Sequence, residues 1–444
     1  MLTLAAERGG AVDAGLRRID GRRVAWFRLA GGKHRGAIGT VEGDTMRRVI
    51  EAGVDAGVPI IGVIDSSGAD VTEGVAALHA WGTVARALAT ASGQVPVLLA
   101  VVGPCVSGPA LLLGLADAVV MTTDAFAYVS GPDAVAAFSG MDVDHHRLGG
   151  AAIHATRSGV ASLVVDDEDA ALDALAALLS YVPDNCMTMP DNSEAAAPIA
   201  SAADVVPATP NASYDVRAVV DGIVDAGSFL ELRARFAPNL VTGLARVDGV
   251  PVGIVANQPC QLAGTLDIAA SQKGAGLVQW CDAFNIPLVT LVDTPGFQPG
   301  KDIEWRGMIR HGAQLAHAYA AATVPRVCVI LRKAFGGAYI VMDSRPMGSD
   351  LCLAWPTAEI AVMGPAGAVN ILFRRELAAD PTRRVDLEAD YELRYCNARM
   401  AAERGYVDAI VAPDDTRALI AETLDALAAK REHLPRRRHA NIPL

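Results

Sequence analysis

Two stretches of sequence decide the fold of this chain: "VPVLLAVVGPCVSGPALLLG" at residues 95–114 and "VPRVCVILRKAFGGAYIVMD" at residues 324–343. In each, an apolar strand ends at small residues, and a second apolar segment follows without a polar loop. A direct passage from strand to helix is typical of parallel α/β sheets, whose faces are covered by helices. The sequence therefore predicts the same abrupt turn at two places in one chain.

The elements around these stretches recur in the same order. Apolar strands end in Asp65 and Asp293, and a small-residue turn and an amphipathic helix follow each of them. The distance from Asp65 to Gly108 is about 43 residues, and from Asp293 to Gly337 it is about 44. The spacing predicts an internal duplication into two α/β domains, each with a ligand site beyond the carboxyl ends of its strands.

The chain length of 444 residues also favours two domains. A Pro-, Ala- and Ser-rich stretch at residues 185–213 has neither helical nor strand periodicity, which is typical of a linker. We therefore expect an N-terminal domain at residues 1–200 and a C-terminal domain at residues 201–444.

The composition excludes several classes of function. The net charge of −12 argues against a nucleic-acid partner, and no apolar run reaches the roughly 18 to 20 residues of a membrane helix. The seven cysteines are scattered, without a CxxC pair or histidines at ligand spacing. This pattern favours reduced thiols in the cytoplasm and gives no sign of a metal site.

The turn "KAFGGAY", which contains Gly336 and Gly337, can bind an anionic oxygen. A strand that enters a helix at glycines leaves successive backbone N–H groups without partners and lets a planar ligand approach the backbone. Two such amides can hold a carbonyl oxygen as it becomes an enolate, a contribution of about 3 kcal/mol per donor. The alternative is that both turns are only tightly packed helix starts.

Neither turn has an obvious acid–base pair beside it. Ser107 lacks the GxSxG pattern of serine hydrolases, since Cys105 and Pro109 occupy the glycine positions. The stretch "DVDHHRLGGAAIH", with His145 and His146, is more typical of a polar helical surface than of a metal site. A hydratase would need a glutamate beside the amides, and Glu73 is the near candidate. An oxyanion site of this kind therefore needs a substrate or cofactor that brings its own base.

At this point the chain resembles a known family, the carboxyltransferase (beta) subunits of biotin-dependent acyl-CoA carboxylases of the actinobacterial acetyl-/propionyl-CoA type. The second half carries the densest similarity, in "SYDVRAVVDGIVDAGSFLEL", "CDAFNIPLVTLVDTPGFQPG", "RKAFGGAYIVMDSR" and the terminal "NIPL". The first half is similar through "DSSGADVTEGVAALHA" and "LGGAAIHATRSGVA". The resemblance covers nearly the whole chain and implies two domains of the ClpP/crotonase type.

The resemblance also implies a reaction. Carboxybiotin, held on a separate carrier subunit that works with biotin carboxylase, would release CO2 beside a bound acyl-CoA, and the biotin ureido nitrogen would take the α-proton. The amides of Ser107 and Gly108 would hold the thioester carbonyl, and those of Gly337 and Ala338 the ureido carbonyl. The two turns of one site would come from different subunits of a homo-oligomer, usually a hexamer.

Further residues are assigned to substrate binding by the same resemblance. Gly336 and Tyr339 flank the second pair of amides, and Ile340 stands at the acyl-pocket position, where isoleucine implies acetyl or other short acyl groups. Two positions depart from the family pattern. Asp70 in "DSSGAD" replaces an arginine, and Pro109 ends a turn that is Gly-Gly-Ala in the family. Proline has no N–H.

A third departure is Thr45, which stands where the family has a lysine. Losing positive charge here would weaken contact with CoA phosphates. The family's additional N-terminal helical segment is expected to be missing or shortened. Three functions stay open: carboxylation of a short acyl-CoA, carboxylation of a pathway-specific thioester, and a structural subunit inactive on the acyl side. A sodium-pump decarboxylase subunit, running the transfer backwards, is poorly separated by sequence.

Overall fold

The structure is a computed structural model that describes residues 7–430 except 32, 33, 204, 208, 210 and 211, and residues 432, 434 and 441 beyond them. The first six residues and most of the "NIPL" tail lie outside the described residues. The chain forms two compact units. The first comprises residues 1–191, 233–236 and 283–285, and the second comprises residues 192–232, 237–282 and 286–444.

The sheet of the first unit has the strand order β1-β2-β3-β4-β5-β6-β8, with β7 paired to β5. Strands β1 to β3 are antiparallel, and the pairs from β3 onward are parallel. The strands are β1 Glu7–Gly9, β2 Val12–Ile19, β3 Arg22–Leu29, β4 Ile60–Ser66, β5 Val97–Val106, β6 Ala118–Thr122, β7 Phe126–Tyr128 and β8 Leu163–Val165. The α-helices are α1 Thr40–Ala56, α2 Val75–Ala91, α3 Pro132–Ser139, α4 His145–Gly149, α5 Ala151–Ile153 and α6 Glu168–Leu179.

The sheet of the second unit has the order β16-β14-β13-β12-β11-β10-β9, with β15 paired to β13. Strands β9 to β11 are antiparallel and the remaining pairs parallel. The strands are β9 Leu230–Leu232, β10 Leu240–Val247, β11 Val250–Asn257, β12 Leu288–Thr294, β13 Arg326–Phe335, β14 Leu351–Ala354, β15 Glu359–Ala361 and β16 Ala409–Ile410. The α-helices are α7 Val216–Asp221, α8 Ile268–Ala283, α9 Lys301–Trp305, α10 Met308–Ala321, α11 Gly336–Val341, α12 Pro365–Leu372, α13 Arg374–Ala379, α14 Arg384–Tyr395, α15 Ala398–Glu403 and α16 Thr416–Ala426.

Each unit has its own apolar core. The central strands β4, β12 and β13 are almost entirely buried, and β5 is buried over its first five residues, as apolar strands covered on both faces should be. In the first unit, Met46 and Ile50 of α1 and Val84 and Leu88 of α2 join the core beside the strands. A separate cluster forms the core of the second unit. The amphipathic helices predicted after Asp65 and Asp293 are present as α2 and α10.

The duplication predicted from the sequence is visible in the strand pairing. Strand β5 shifts register against β4 between Ile64 and Ser66, and β13 shifts against β12 between Val292 and Thr294. Parallel strands β7 and β15 extend the far ends of β5 and β13 in the same manner. The same irregularity at the same place in both sheets is expected of two copies of one unit.

The antiparallel strands were not predicted. Asp20 and Gly21 join β2 to β3 with φ of 48° and 83°, and Asp248 and Gly249 join β10 to β11 with φ of 54° and 79°. Two-residue Asp-Gly turns with positive φ are the favoured connection of hairpins. The described residues between α6 and α7 form neither helix nor strand, and the predicted domain boundary at residue 200 falls among them.

Candidate active site

The first turn follows β5. Val106 ends the strand, Ser107 follows, and a 3-10 helix runs over Gly108–Leu115. Ser107 has φ of 66° and ψ of −155°, a conformation that is essentially restricted to glycine. Its N–H donates to the carbonyl oxygen of Tyr128 over 2.9 Å. The amide that the sequence assigned to a ligand therefore has an acceptor within the protein.

The second turn follows β13. Phe335 ends the strand, and α11 begins at Gly336, whose φ is 61°. Gly337 and Ala338 are the second and third residues of this helix, so their N–H groups have no acceptor within it. Ala338 is buried, whereas Gly337 is exposed. The turn can offer two neighbouring main-chain donors to an anionic oxygen.

The two turns have the register that the sequence spacing predicts, but the expected donors occupy different positions in each turn. Val106 is paired with Tyr128, and Phe335 is paired in the same way with Ala361. The positive-φ residue comes immediately after each strand, so Ser107 corresponds to Gly336. Gly108 then corresponds to Gly337, and Pro109 to Ala338. By this equivalence, the donors Gly337 and Ala338 correspond to Gly108 and Pro109. The donors expected in the first turn, Ser107 and Gly108, begin one residue earlier.

An aromatic ring lies against the middle glycine of each turn. A Cβ on Gly108 would approach Cζ2 of Trp81 to 2.8 Å, so a side chain there would collide with the indole. A Cβ on Gly337 would lie 3.5 Å from Cε2 of Phe297, which is an ordinary contact. A Cβ on Gly336 would lie 3.2 Å from the Val362 carbonyl oxygen. The first turn is therefore the more tightly enclosed at this position.

The side chains that follow α11's first residues point to different environments. Tyr339 is 7% exposed and Ile340 is 38% exposed. Burial raises the pKa of the Tyr339 phenol well above its usual range. Ile340 can therefore contact a ligand at the surface, whereas Tyr339 packs inside the unit.

The two aspartates at the strand ends, Asp65 and Asp293, mark the repeat in the sequence and have no predicted role in the site. The buried Asp293 accepts hydrogen bonds from the Tyr214 hydroxyl at 2.8 Å, Arg332 Nε at 3.1 Å and the Lys333 N–H at 3.1 Å. Burial raises the pKa of Asp293, and the positive charge of Arg332 opposes this shift. The charged pair "RK" near the end of an otherwise apolar strand was the sequence signal for this network. The network joins β13 to the end of β12 a few residues before the second turn.

In the first unit, the equivalent Asp65 is enclosed by glycines. A Cβ on Gly31 would lie 2.2 Å from its Oδ2, and one on Gly103 would lie 2.7 Å from its Oδ1. Burial raises the pKa of Asp65, and a hydrogen bond from the Gly31 backbone opposes this. Both units therefore keep a carboxyl group beneath the strand end, but with different partners.

Asp70 lies at the start of the short 3-10 helix Val71–Glu73. Its carboxylate accepts hydrogen bonds from the N–H and hydroxyl of Thr72, at 2.9 and 2.7 Å, and these contacts lower its pKa. Glu73 accepts the N–H of Thr40 at 2.8 Å, a structural role. Thr45 is buried, and its hydroxyl donates to the Val41 carbonyl oxygen. Two carboxylates therefore lie at positions 70 and 73, and His34 Nδ1 lies 3.7 Å from Oδ2 of Asp70.

The histidine stretch forms the exposed helix α4, as the sequence predicts. The Tyr128 hydroxyl and His145 Nδ1 are 2.7 Å apart, and their rings stack at 5.8 Å. Within the described residues, no group of three or more His, Cys, Asp or Glu side chains could hold a metal ion. Among the same residues, no helix is long and apolar enough to cross a membrane.

The fold defines a class of protein: a duplicated crotonase-type α/β chain with a strand-to-helix turn in each unit. A family model described as the carboxyl transferase domain matches residues 3–442. This chain belongs to the carboxyl transferase family. The predicted fold class, the assignment to carboxyltransferase subunits of biotin-dependent acyl-CoA carboxylases, and the enzyme class are confirmed.

Individual relatives are similar over almost the whole chain. The propionyl-CoA carboxylase beta chain of Saccharopolyspora erythraea is 46% identical over 98% of this chain and 84% of its own length. The biotin-dependent acetyl-/propionyl-coenzyme A carboxylase beta5 subunit of Mycobacterium leprae is 43% identical, covering 98% and 83%. The crystal structure of the transcarboxylase 12S hexamer with methylmalonyl-coenzyme A superposes with a TM-score of 0.95 at 40% identity, over 98% of this chain and 85% of that one.

Proposed function

We propose that this chain moves CO2 from carboxybiotin, carried on a separate subunit, to the α-carbon of a short acyl-CoA such as acetyl- or propionyl-CoA. The observation that carries the proposal is the pair of matched turns in a carboxyl transferase family member. Each turn opens a helix with at least one N–H group that has no acceptor in that helix. The products are malonyl-CoA or methylmalonyl-CoA.

The second turn, within residues 201–444, is assigned to the biotin side. The positive φ of Gly336, the absence of a side chain on Gly337 and the nearby ring of Phe297 fit a flat ureido group lying on the backbone. The N–H groups of Gly337 and Ala338 hold the ureido oxygen. When bound, carboxybiotin supplies both the CO2 and the base that removes the α-proton.

The first turn, within residues 1–200, is assigned to the acyl side. The Gly108 N–H holds the thioester oxygen, which gains negative charge as the α-proton leaves and the enolate forms. The α-carbon of the enolate then attacks CO2, and the thioester carbonyl is restored. Ile340 borders the acyl group, and its bulk favours short acyl chains.

A structural subunit, inactive on the acyl side, is the second candidate. It is favoured by Pro109, which removes an N–H from the first turn, and by Asp70, a carboxylate where the family pattern has an arginine. The same departures from the family pattern also fit an enzyme that keeps the carboxyl-transfer chemistry but carboxylates a pathway-specific thioester.

The chain works with a biotin carboxylase and biotin carboxyl carrier (alpha) subunit and assembles as a homo-oligomer, a hexamer. Large apolar side chains on the surface support self-association, among them Phe138 at 96% and Ile309 at 83% exposure. Its compartment is the cytoplasm, which the seven free cysteines support. Light scattering after size-exclusion chromatography measures the subunit number, and a monomer would contradict the assembly.

Reconstitution tests the activity. The chain is combined with biotin carboxylase, a biotinylated carrier, ATP and bicarbonate, and carboxylation of acetyl-, propionyl- and longer acyl-CoA is followed with labelled bicarbonate. We expect product from a short acyl-CoA. A carrier that becomes carboxylated but delivers no carboxyl group to any thioester would favour the structural subunit. Decarboxylation of malonyl-CoA without the forward reaction would favour the decarboxylase.

A variant of the second turn tests the donor assignment. Ala338→Pro removes one N–H and is expected to lower turnover about a hundredfold. Ala338→Gly is the matched control, because it changes the side chain but keeps the N–H group. Near-normal turnover of Ala338→Pro would contradict the assignment.

A further inference from the structure

The two turns differ in how many main-chain donors they offer. At the first turn, the Ser107 N–H is taken up by the Tyr128 carbonyl oxygen, and Pro109 has no N–H. Gly108 is left as the donor. At the second turn, the corresponding Gly337 and Ala338 both carry N–H groups.

Up to residue 107, the first turn shares two backbone features with the second. Ser107 has φ of 66°, close to the 61° of Gly336, although a serine in this conformation is strained. The strand pairing on either side is the same in both units. The donor count therefore differs although the strand pairing and the positive φ of the first turn residue are shared.

A neighbouring side chain does not replace the missing amide. The indole Nε1 of Trp81 would lie 3.2 Å from a Cβ on Gly108, and it has no hydrogen-bond partner in the part of the chain that the structure describes. This nitrogen is buried, however, and is not exposed at the surface beside the turn.

We propose that Pro109 limits the acyl side of this enzyme by leaving the thioester oxygen with a single main-chain donor. The inference rests on the proposed function. A donor that acts on the enolate oxygen contributes mainly to turnover and little to substrate binding. Pro109 therefore sets the rate at which the acyl group accepts CO2, and restoring the N–H should make the subunit faster.

The test is Pro109→Ala in the reconstituted assay. We expect turnover of acetyl- or propionyl-CoA to rise about a hundredfold, with KM changed less than threefold, because removing one such donor from other enzymes costs that much. Pro381→Ala, at the start of the 3-10 helix Pro381–Arg383, is the matched control and should leave turnover unchanged.

A spectroscopic measurement separates a restored donor from a merely relaxed backbone. The carbonyl resonance of bound [1-13C]propionyl-CoA should move downfield in Pro109→Ala relative to the natural chain, since a second hydrogen bond polarises the carbonyl group. Equal turnover and an unmoved resonance in a folded variant would overturn the inference. If neither protein binds or carboxylates the thioester while the carrier is carboxylated, the proposed function itself is wrong.

Discussion

Asp293 and Arg332 form a buried ion pair under the second turn, and breaking it should destabilise the second unit strongly. Asp293 is 1% exposed and the Arg332 side chain 5%. Asp293→Asn keeps the shape of the side chain but leaves the guanidinium without a counter-charge. Removing one partner of a buried pair costs about 3–5 kcal/mol, since the other charge stays desolvated. We expect a loss of this size in the free energy of unfolding.

A double-mutant cycle isolates the contribution of the charges. Arg332→Met alone should also destabilise the unit, because it leaves the carboxylate buried with fewer donors. The double variant Asp293→Asn/Arg332→Met should cost much less than the sum of the two, since no unpaired charge remains. Tyr214→Phe removes one hydrogen bond of 2.8 Å and should cost about 1–3 kcal/mol.

Urea denaturation followed by tryptophan fluorescence measures these changes. Trp355 is buried in the core of the second unit and reports on its unfolding. Single-variant losses below about 1 kcal/mol, or losses that add in the double variant, would show that the charges are not coupled and refute the reasoning.

Three further predictions concern the first unit. Ser107→Gly relieves backbone strain of about 1–3 kcal/mol. Glycine also raises the conformational entropy of the unfolded chain, which offsets part of this gain, so we expect a net stabilisation of about 1 kcal/mol in urea denaturation. Gly108→Ala should destabilise more than Gly337→Ala in the same assay, because its Cβ would lie 2.8 Å from the Trp81 ring. Burial raises the pKa of Asp117 to about 7. The folded chain thus holds a proton that the unfolded chain has released, so stability should fall as pH rises from about 4 to about 7, and Asp117→Asn should flatten this slope.

The sequence predicted the duplication and the place of both turns because apolar strands that end at small residues leave a clear pattern. It missed the hairpins at the sheet edges, although Asp20-Gly21 and Asp248-Gly249 carry the signal of a two-residue turn. Polar residues or glycine interrupt the apolar residues of these eight-residue strands, so they lack the continuous apolar pattern of the central strands.

The spacing pairs Gly108 with Gly337, but the amides of the first turn that are free to bind a ligand could not be read from the sequence alone. The hydrogen bond from the Ser107 N–H to the Tyr128 carbonyl oxygen depends on the pairing of β5 with β7. Likewise, "LRKAF" contains two charged residues, but only the fold places Arg332 beside Asp293, which is 39 residues away in sequence. Long-range pairing of this kind depends on tertiary packing.

The two units of the duplicated chain share strand pairing more closely than they share the hydrogen-bond donors of their turns. At the first turn, a serine occupies a glycine conformation because the register of β5 against β7 and the hydrogen bond to Tyr128 fix the chain there. These contacts do not depend on whether the next residues carry N–H groups, so they are compatible with proline at position 109. A turn can therefore lose a donor while the strand pairing that positions it is kept. Donors have to be counted atom by atom in each copy, because similarity of fold does not establish equal chemistry in both.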